Sequence, residues 1–368
     1  MSMGRLASLL LLLAATAQAQ PFVSEEIIWR TMPAASPYIV TSRAAPVAAD
    51  GDGFVVGWTE FDTQLRACLG RLDARGRLLD VGVRSPGVGD AAVIAPFGDR
   101  YVAAWLEPGN GPLPTLVTAA FDRDFRVVST RPVAASPGAP ILHVATPSAY
   151  VASGTILYEI DRDGAATKAY DALARIDDFT AVRDQVGYVT HSTKHMPSVC
   201  GFFQCSPPTD IYAVAFHWLN HQLGNWMWLF ASTAPVSVAG DGGAFLLVFF
   251  DPSLGVRALA YRNTEVRQVA LPGPLPRLDP TTQAQAVWDG ARWVVVWPAG
   301  DGIAGAAITP DLAVRPFVVT ARGARPSLAV SKPGRLLVTY EWSEDKTRRL
   351  ASRVIDFDRP AQRERVVR

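Results

Sequence analysis

Cysteine is rare in this chain, three residues in 368, and net charge is nearly absent, with 35 Lys and Arg against 34 Asp and Glu. Three cysteines cannot staple a fold of this length, so its stability has to come from packed apolar surface. Balanced charge leaves no global field to recruit nucleic acid or an anionic membrane, and no basic run stands out locally. Helical periodicity is lacking as well, since no stretch sustains an apolar repeat of 3.6 residues. Beyond the first nineteen residues no apolar run is long enough for a spanning helix, so membrane insertion is not expected. The signatures of metal and nucleophile enzymes are missing too. There is no H-E-x-x-H, C-x-x-C or G-x-S-x-G, and no S-x-D-x-G-x-x-T-W box of the sialidases. No cofactor is therefore expected.

The first nineteen residues differ from the rest. Arg5 supplies a positive start, Leu6 to Ala15 an apolar core, and Ala17-Gln18-Ala19 a small-x-small cleavage pattern. These features predict a signal peptide over 1–19, cut before Gln20, and a mature chain in the periplasm or outside the cell. No cysteine sits at the cleavage site, which argues against a lipid anchor. In an oxidising compartment Cys200 and Cys205 are close enough in sequence for a local disulfide, leaving Cys68 as a buried thiol on a strand.

Repetition is the strongest signal in the mature chain. A large residue followed four positions later by another recurs inside apolar runs: Phe54/Trp58, Tyr101/Trp105, Phe245/Phe249, Trp293/Trp297 and Leu336/Tyr340. Weaker copies start at Tyr150 and Tyr188. Polar turns at Asp73, Asp122, Asp161, Asn220, Arg262, Thr309 and Asp356 interleave with them. Each unit reads as short strands with turn signals between. In the unit around Trp293, Val295 and Trp297, both faces of the strand are apolar, as in a strand sandwiched between neighbouring sheets. Four-stranded units of 40 to 50 residues have the size of propeller blades, and a ring buries the two faces that a single blade leaves bare. The expected architecture is all-β, a single β-propeller over 44–368 with seven four-stranded blades; six or eight stay open because the third unit is short and the fourth long. The segment 20–43 lies outside the repeat and could close the ring on the outer edge of the last blade.

The first unit, with Pro46, Val47, Ala48, Asp50, Gly51, Phe54, Val56 and Trp58 followed by Asp73 and Gly76, resembles the repeat propellers of secreted bacterial proteins. The resemblance covers most of the mature chain and fades in the third and fourth units. It implies fold and export, not activity. Ala-, Arg- and Pro-rich usage agrees with a bacterium of GC-rich genome.

Candidate chemistry is sparse. Asp50-Gly51-Asp52-Gly53 and Asp161-Arg162-Asp163-Gly164 lack the further oxygens of a calcium loop and read as hairpin turns. His191, His195, His217 and His221 fall in the fourth unit and are the weak metal candidates, though i and i+4 on a strand lie about 13 Å apart. Glu60, Glu107, Asp251 and Glu341 each follow the second strand of a unit and could meet at the channel mouth, where paired carboxylates would suit glycoside chemistry. The clearest departure from the repeat is the insertion 192–210, which carries Lys194 and exposes Phe202, Phe203 and Gln204 between Cys200 and Cys205. Trp226 and Trp228, on the outermost strand of the same unit, offer a further contact edge. The expected function is non-catalytic binding of a protein or glycan through the face bearing the insertion. The alternatives are a glycan-processing hydrolase or lyase using the acids, and a scaffold domain of a cell-surface assembly.

Overall fold

A computed structural model describes residues 20–33, 43–61, 63–84, 88–136, 138–145, 147–172, 174–182, 185–196, 209–220, 223–232, 234–251, 254–262, 265–272 and 283–360. Within these, the backbone but not the side chains is described for 182, 185, 191–196, 209–220, 223–231 and 360. Every regular element among them is a strand, and the strands form antiparallel meanders around one axis. Six sheets have four strands each, over 47–84, 90–135, 141–171, 175–232, 237–270 and 285–320. The remaining sheet has five, because Ala324–Lys332, Arg335–Glu344 and Thr347–Pro360 are joined at the outer edge by Pro21–Val23 and Ile27–Pro33. The inner strands of the seven sheets contact one another in cyclic order and enclose a channel of about 430 Å³. The chain is a β-propeller. The expectation of seven four-stranded blades is corrected: six sheets are four-stranded, and the last is a composite in which one long strand, Thr347–Pro360, has room for two N-terminal strands on its free edge.

The period-2 alternation explains why the sheets stack. In Trp293–Ala299, Trp293, Val295 and Trp297 pack with Leu246, Val248 and Phe250 of the preceding sheet. Val294 and Val296 pack with Leu336, Val338 and Tyr340 of the following one. Gly53–Phe61 divides in the same way, with Phe54, Val56 and Trp58 on one face and Val55 on the other. A strand apolar on both faces is stable only between two partners, which a ring supplies to every sheet.

Turns between third and fourth strands stitch neighbouring sheets together. The Asp73, Asp122 and Asp161 carboxylates each accept two backbone N–H groups, from the residues two and four positions on. The third residue after each Asp is left-handed: Gly76, Phe125 and Gly164 have φ of 85°, 62° and 76°. These turns then dock on the preceding sheet. Ser352 donates to the Gly76 carbonyl (2.9 Å), Arg71 to that of Arg123 (3.1 Å) and Thr118 to that of Gly164 (2.8 Å). Asp50 is a stitch of the same kind, accepting Tyr101 Oη and Arg123 Nη1, each at 2.6 Å, from the next sheet.

Candidate functional site

At one end of the channel the inner strands begin and the second strands finish, so their terminal residues converge on a mouth cavity of about 160 Å³. Four of the six carboxylates buried among the described residues, Glu60, Asp90, Asp177 and Glu341, line it, and a fifth, Asp178, lines the channel just beneath. Buried ionised groups are expensive unless paired, and here they are engaged. Glu341 accepts Arg325 Nε at 2.6 Å and Arg348 Nε at 2.5 Å, and Arg325 Nη2 also pairs with it. Burial pushes the Glu341 carboxyl upward, but the two guanidinium charges and their hydrogen bonds outweigh it and hold the group below the usual carboxylate range. Arg348 also donates to the Thr59 and Ala44 carbonyls, tying the last sheet to the first. Glu60 pairs with Arg30 at 2.5 Å, and Asp90 accepts Thr59 Oγ1 at 2.6 Å and Ala91 N at 2.7 Å. Asp177 accepts Val236 N at 3.2 Å.

Arg43, just ahead of the first sheet, reaches across the ring to Asp178 on the fourth, Nη2 to Oδ1 at 2.7 Å. Asp178 also accepts Ser237 Oγ (2.8 Å) and Val238 N (3.1 Å). In the channel below, burial lowers the His143 imidazole; nearby Asp178 opposes this and Arg43 adds to it. Its Nδ1 has no hydrogen-bond partner among the described residues.

Backbone irregularity aims these side chains. Three inner strands break register at their mouth ends, between Asp90 and Val93, Ile176 and Asp178, and Ala324 and Ser327. Ala91 and Arg325, at two of these breaks, have φ of 57° and 49° without being glycine. Bulges re-aim side chains, and left-handed non-glycine residues persist only where surrounding structure holds them. The longer loops open at the same end. The 109–114 segment joins Arg100–Glu107 to Thr115–Phe121, and the hairpin of Gln185–Met196 with Thr209–Asn220 runs past its inner neighbour, whose first residue Arg175 pairs with His191.

Of the four acids singled out from sequence, the structure brings Glu60 and Glu341 to one cavity; Glu107 and Asp251 are not among the residues lining it. Glu60 and Glu107 share a local role, each accepting the indole N–H of the tryptophan two residues earlier, Trp58 at 3.0 Å and Trp105 at 2.8 Å. That W-x-E spacing puts both side chains on one strand face. Asp251 accepts Leu254 N at 2.9 Å. His191, His195 and His217 sit opposite Val214, Asp210 and Tyr188, so no two of them are register partners. Lys194 lies opposite Ile211, and Trp226 and Trp228 are on the outermost strand of their sheet opposite His217 and Ala215. The side chains of these six residues lie outside the description, as do Cys200, Phe202, Phe203, Gln204, Cys205 and His221 altogether. No group of three or more potential metal ligands occurs among the described residues, and Cys68 is a free, buried thiol. Sequence reasoning missed the arginines Arg43, Arg175, Arg325 and Arg348 and the acids Asp90, Asp177 and Asp178. The signal that could have found most of them is a charged residue heading an otherwise apolar inner strand.

No protein-family model and no curated protein matches this chain. Solved structures do. The β-propeller domain of the Trilobed protease from Pyrococcus furiosus aligns with a TM-score of 0.52 at 11% identity, over 86% of this chain and all of that domain. The WD40 domain of Toxoplasma gondii coronin gives 0.56 at 8% identity, over 93% of this chain and 89% of that one. At such identities the likeness is one of fold alone.

Proposed function

We propose that this protein is a secreted, non-catalytic propeller of the bacterial repeat type, which binds a protein or glycan through its mouth face. The composite sheet counts as its seventh blade. The observation carrying the reading is the concentration of irregularity at one end: three register breaks in inner strands, two of them at left-handed non-glycine residues, and a buried charge network. Glycoside hydrolysis by the retaining or inverting route needs one carboxyl group able to give up a proton. Glu341, clamped between two arginines, is held in its charged form, and Glu60 is paired with Arg30. The network therefore suits a rigid recognition surface better than acid–base chemistry.

The test uses the mature chain and a Phe202→Ala/Phe203→Ala variant on arrays of immobilised glycans and peptides. Specific binding that the double variant weakens at least tenfold is expected. Equal binding by both proteins would reject the insertion as the contact, and turnover of an arrayed glycan would favour the hydrolase instead.

A further inference from the structure

Among the described residues, one guanidinium lining the mouth makes no ion pair. Arg175 heads the inner strand of the fourth sheet, is exposed, lines the mouth cavity, and its side chain has no ion pair or hydrogen bond among the described residues. The other arginines there are engaged: Arg30 with Glu60, Arg43 with Asp178, and Arg325 and Arg348 with Glu341. Arg43 lines the cavity, as Arg30 does not, and its acid is supported independently. If Arg43 swung into the cavity, Asp178 would keep the Ser237 hydroxyl and the Val238 N–H. Arg43 and Arg175 line the same cavity, and Arg43 already reaches the strand that Arg175 begins. Asp90 and Asp177, the acids that would oppose an incoming anion, are themselves held by N–H and hydroxyl donors.

From this arrangement we propose that the mouth receives a carboxylate from an acidic peptide segment, held between Arg175 and Arg43. The inference rests on the binding-face reading above and names its ligand class. Two guanidiniums converging on one planar anion form the paired recognition that arginine provides and lysine does not. The rim favours a peptide over a uronic-acid glycan. Val88, Leu113 and Leu254, on three loops of this end, are 36%, 41% and 60% exposed and would meet apolar side chains flanking the acid. Sugar recognition usually stacks rings on open aromatic faces, whereas the described tryptophans near this end, Trp58, Trp105 and Trp342, are buried.

The experiment measures fluorescence anisotropy of the mature protein with labelled decapeptides carrying Asp or Glu, and with the same peptides carrying Asn or Gln. A free or amidated C-terminus separates side-chain from terminal carboxylates, and oligogalacturonate is the glycan arm. Acidic peptides should bind at least tenfold more tightly than their amides, with affinity falling as salt rises. Arg175→Glu should abolish the preference, and Arg175→Lys should retain part of the affinity. Equal binding of acids and amides, an unaltered Arg175→Glu variant with a wild-type melting curve, or binding of oligogalacturonate alone would each overturn the proposal. If Phe202→Ala/Phe203→Ala abolishes peptide binding while Arg175→Glu does not, the carboxylate inference falls and the binding face stands.

Discussion

Glu341 at the mouth and His143 in the channel are two enclosed titratable groups, and both make the protein sensitive to acid, at different pH. The folded-state value of Glu341 is depressed, so its stabilising charge is fully present above the ordinary value of 4.5 and lost as pH falls through the folded value. The His143 value is depressed as well, here because burial favours the neutral ring. Its contribution is complete above the ordinary 6.5 and declines as pH drops below that toward the folded value. Denaturation followed from pH 8 to 3 should therefore show two stages of loss. His143→Leu should flatten the first stage and leave the second. Glu341→Gln should remove the second and, by stranding Arg325 and Arg348 beside a neutral amide, cost about 3–5 kcal/mol at neutral pH. Urea midpoints at each pH read both effects. Trp297, fully buried between two sheets, carries no charge but a large volume; its replacement by Ala should lower stability by about 3–5 kcal/mol.

At the scale of the element, the Asp-capped turn is the unit that joins one sheet to the next. A Cβ on Gly164 would lie 2.9 Å from Ala120 N, at a φ of +76° that side chains resist. Gly164→Ala should thus loosen the second and third sheets together and cost about 1–3 kcal/mol, seen as faster amide exchange in Thr115–Phe121 as well as in its own turn. Phe125 holds the equivalent place without being glycine because its ring is captured. It stacks on Tyr101 at 5.0 Å, lies under the Arg71 guanidinium at 5.2 Å, and fills the space where Gly82 has no side chain. Such elements were legible in the sequence because their causes are local. Alternation, Asp-Gly turns and repeated aromatics act over a few residues and recur. The mouth was legible only in part. Glu60 and Glu341 were visible as acids ending second strands, but the arginines that define their chemistry come from positions 30, 325 and 348. Arg43 and Asp178 meet across the ring, 135 residues apart. No spacing rule links residues whose proximity exists only once a ring has closed.

For the whole molecule, closure depends on the strands near both ends. Pro21–Val23 and Ile27–Pro33 pair with Thr347–Pro360, and the turn between them is pinned by Arg353 to the Ser24 carbonyl (2.8 Å) and by Tyr340 Oη to Glu26 (2.8 Å). Burial and the Glu26 contact push the Tyr340 hydroxyl up to about 12, against the Arg353 hydrogen bond, so it stays protonated and able to donate across the working range. Removing 20–33 should expose the edge of Thr347–Pro360 and make the elution profile more concentration-dependent than that of the intact chain, through self-association. A sharp profile unchanged from wild type would show that the last sheet holds without its N-terminal strands.

That composite sheet also sets an order in time. Ile27 pairs with Ser352, so strands made first cannot find their partners until almost the whole chain has emerged. Intermediate sheets can stack as they appear, since each contacts the one before. The N-terminal strands wait through all of that with both edges open. The ring cannot be completed before Thr347–Pro360 is made, and a chain halted ahead of it would hold six four-stranded sheets and the hairpin of Ala324–Lys332 with Arg335–Glu344, its outer edge open to chaperones, proteases or copies of itself.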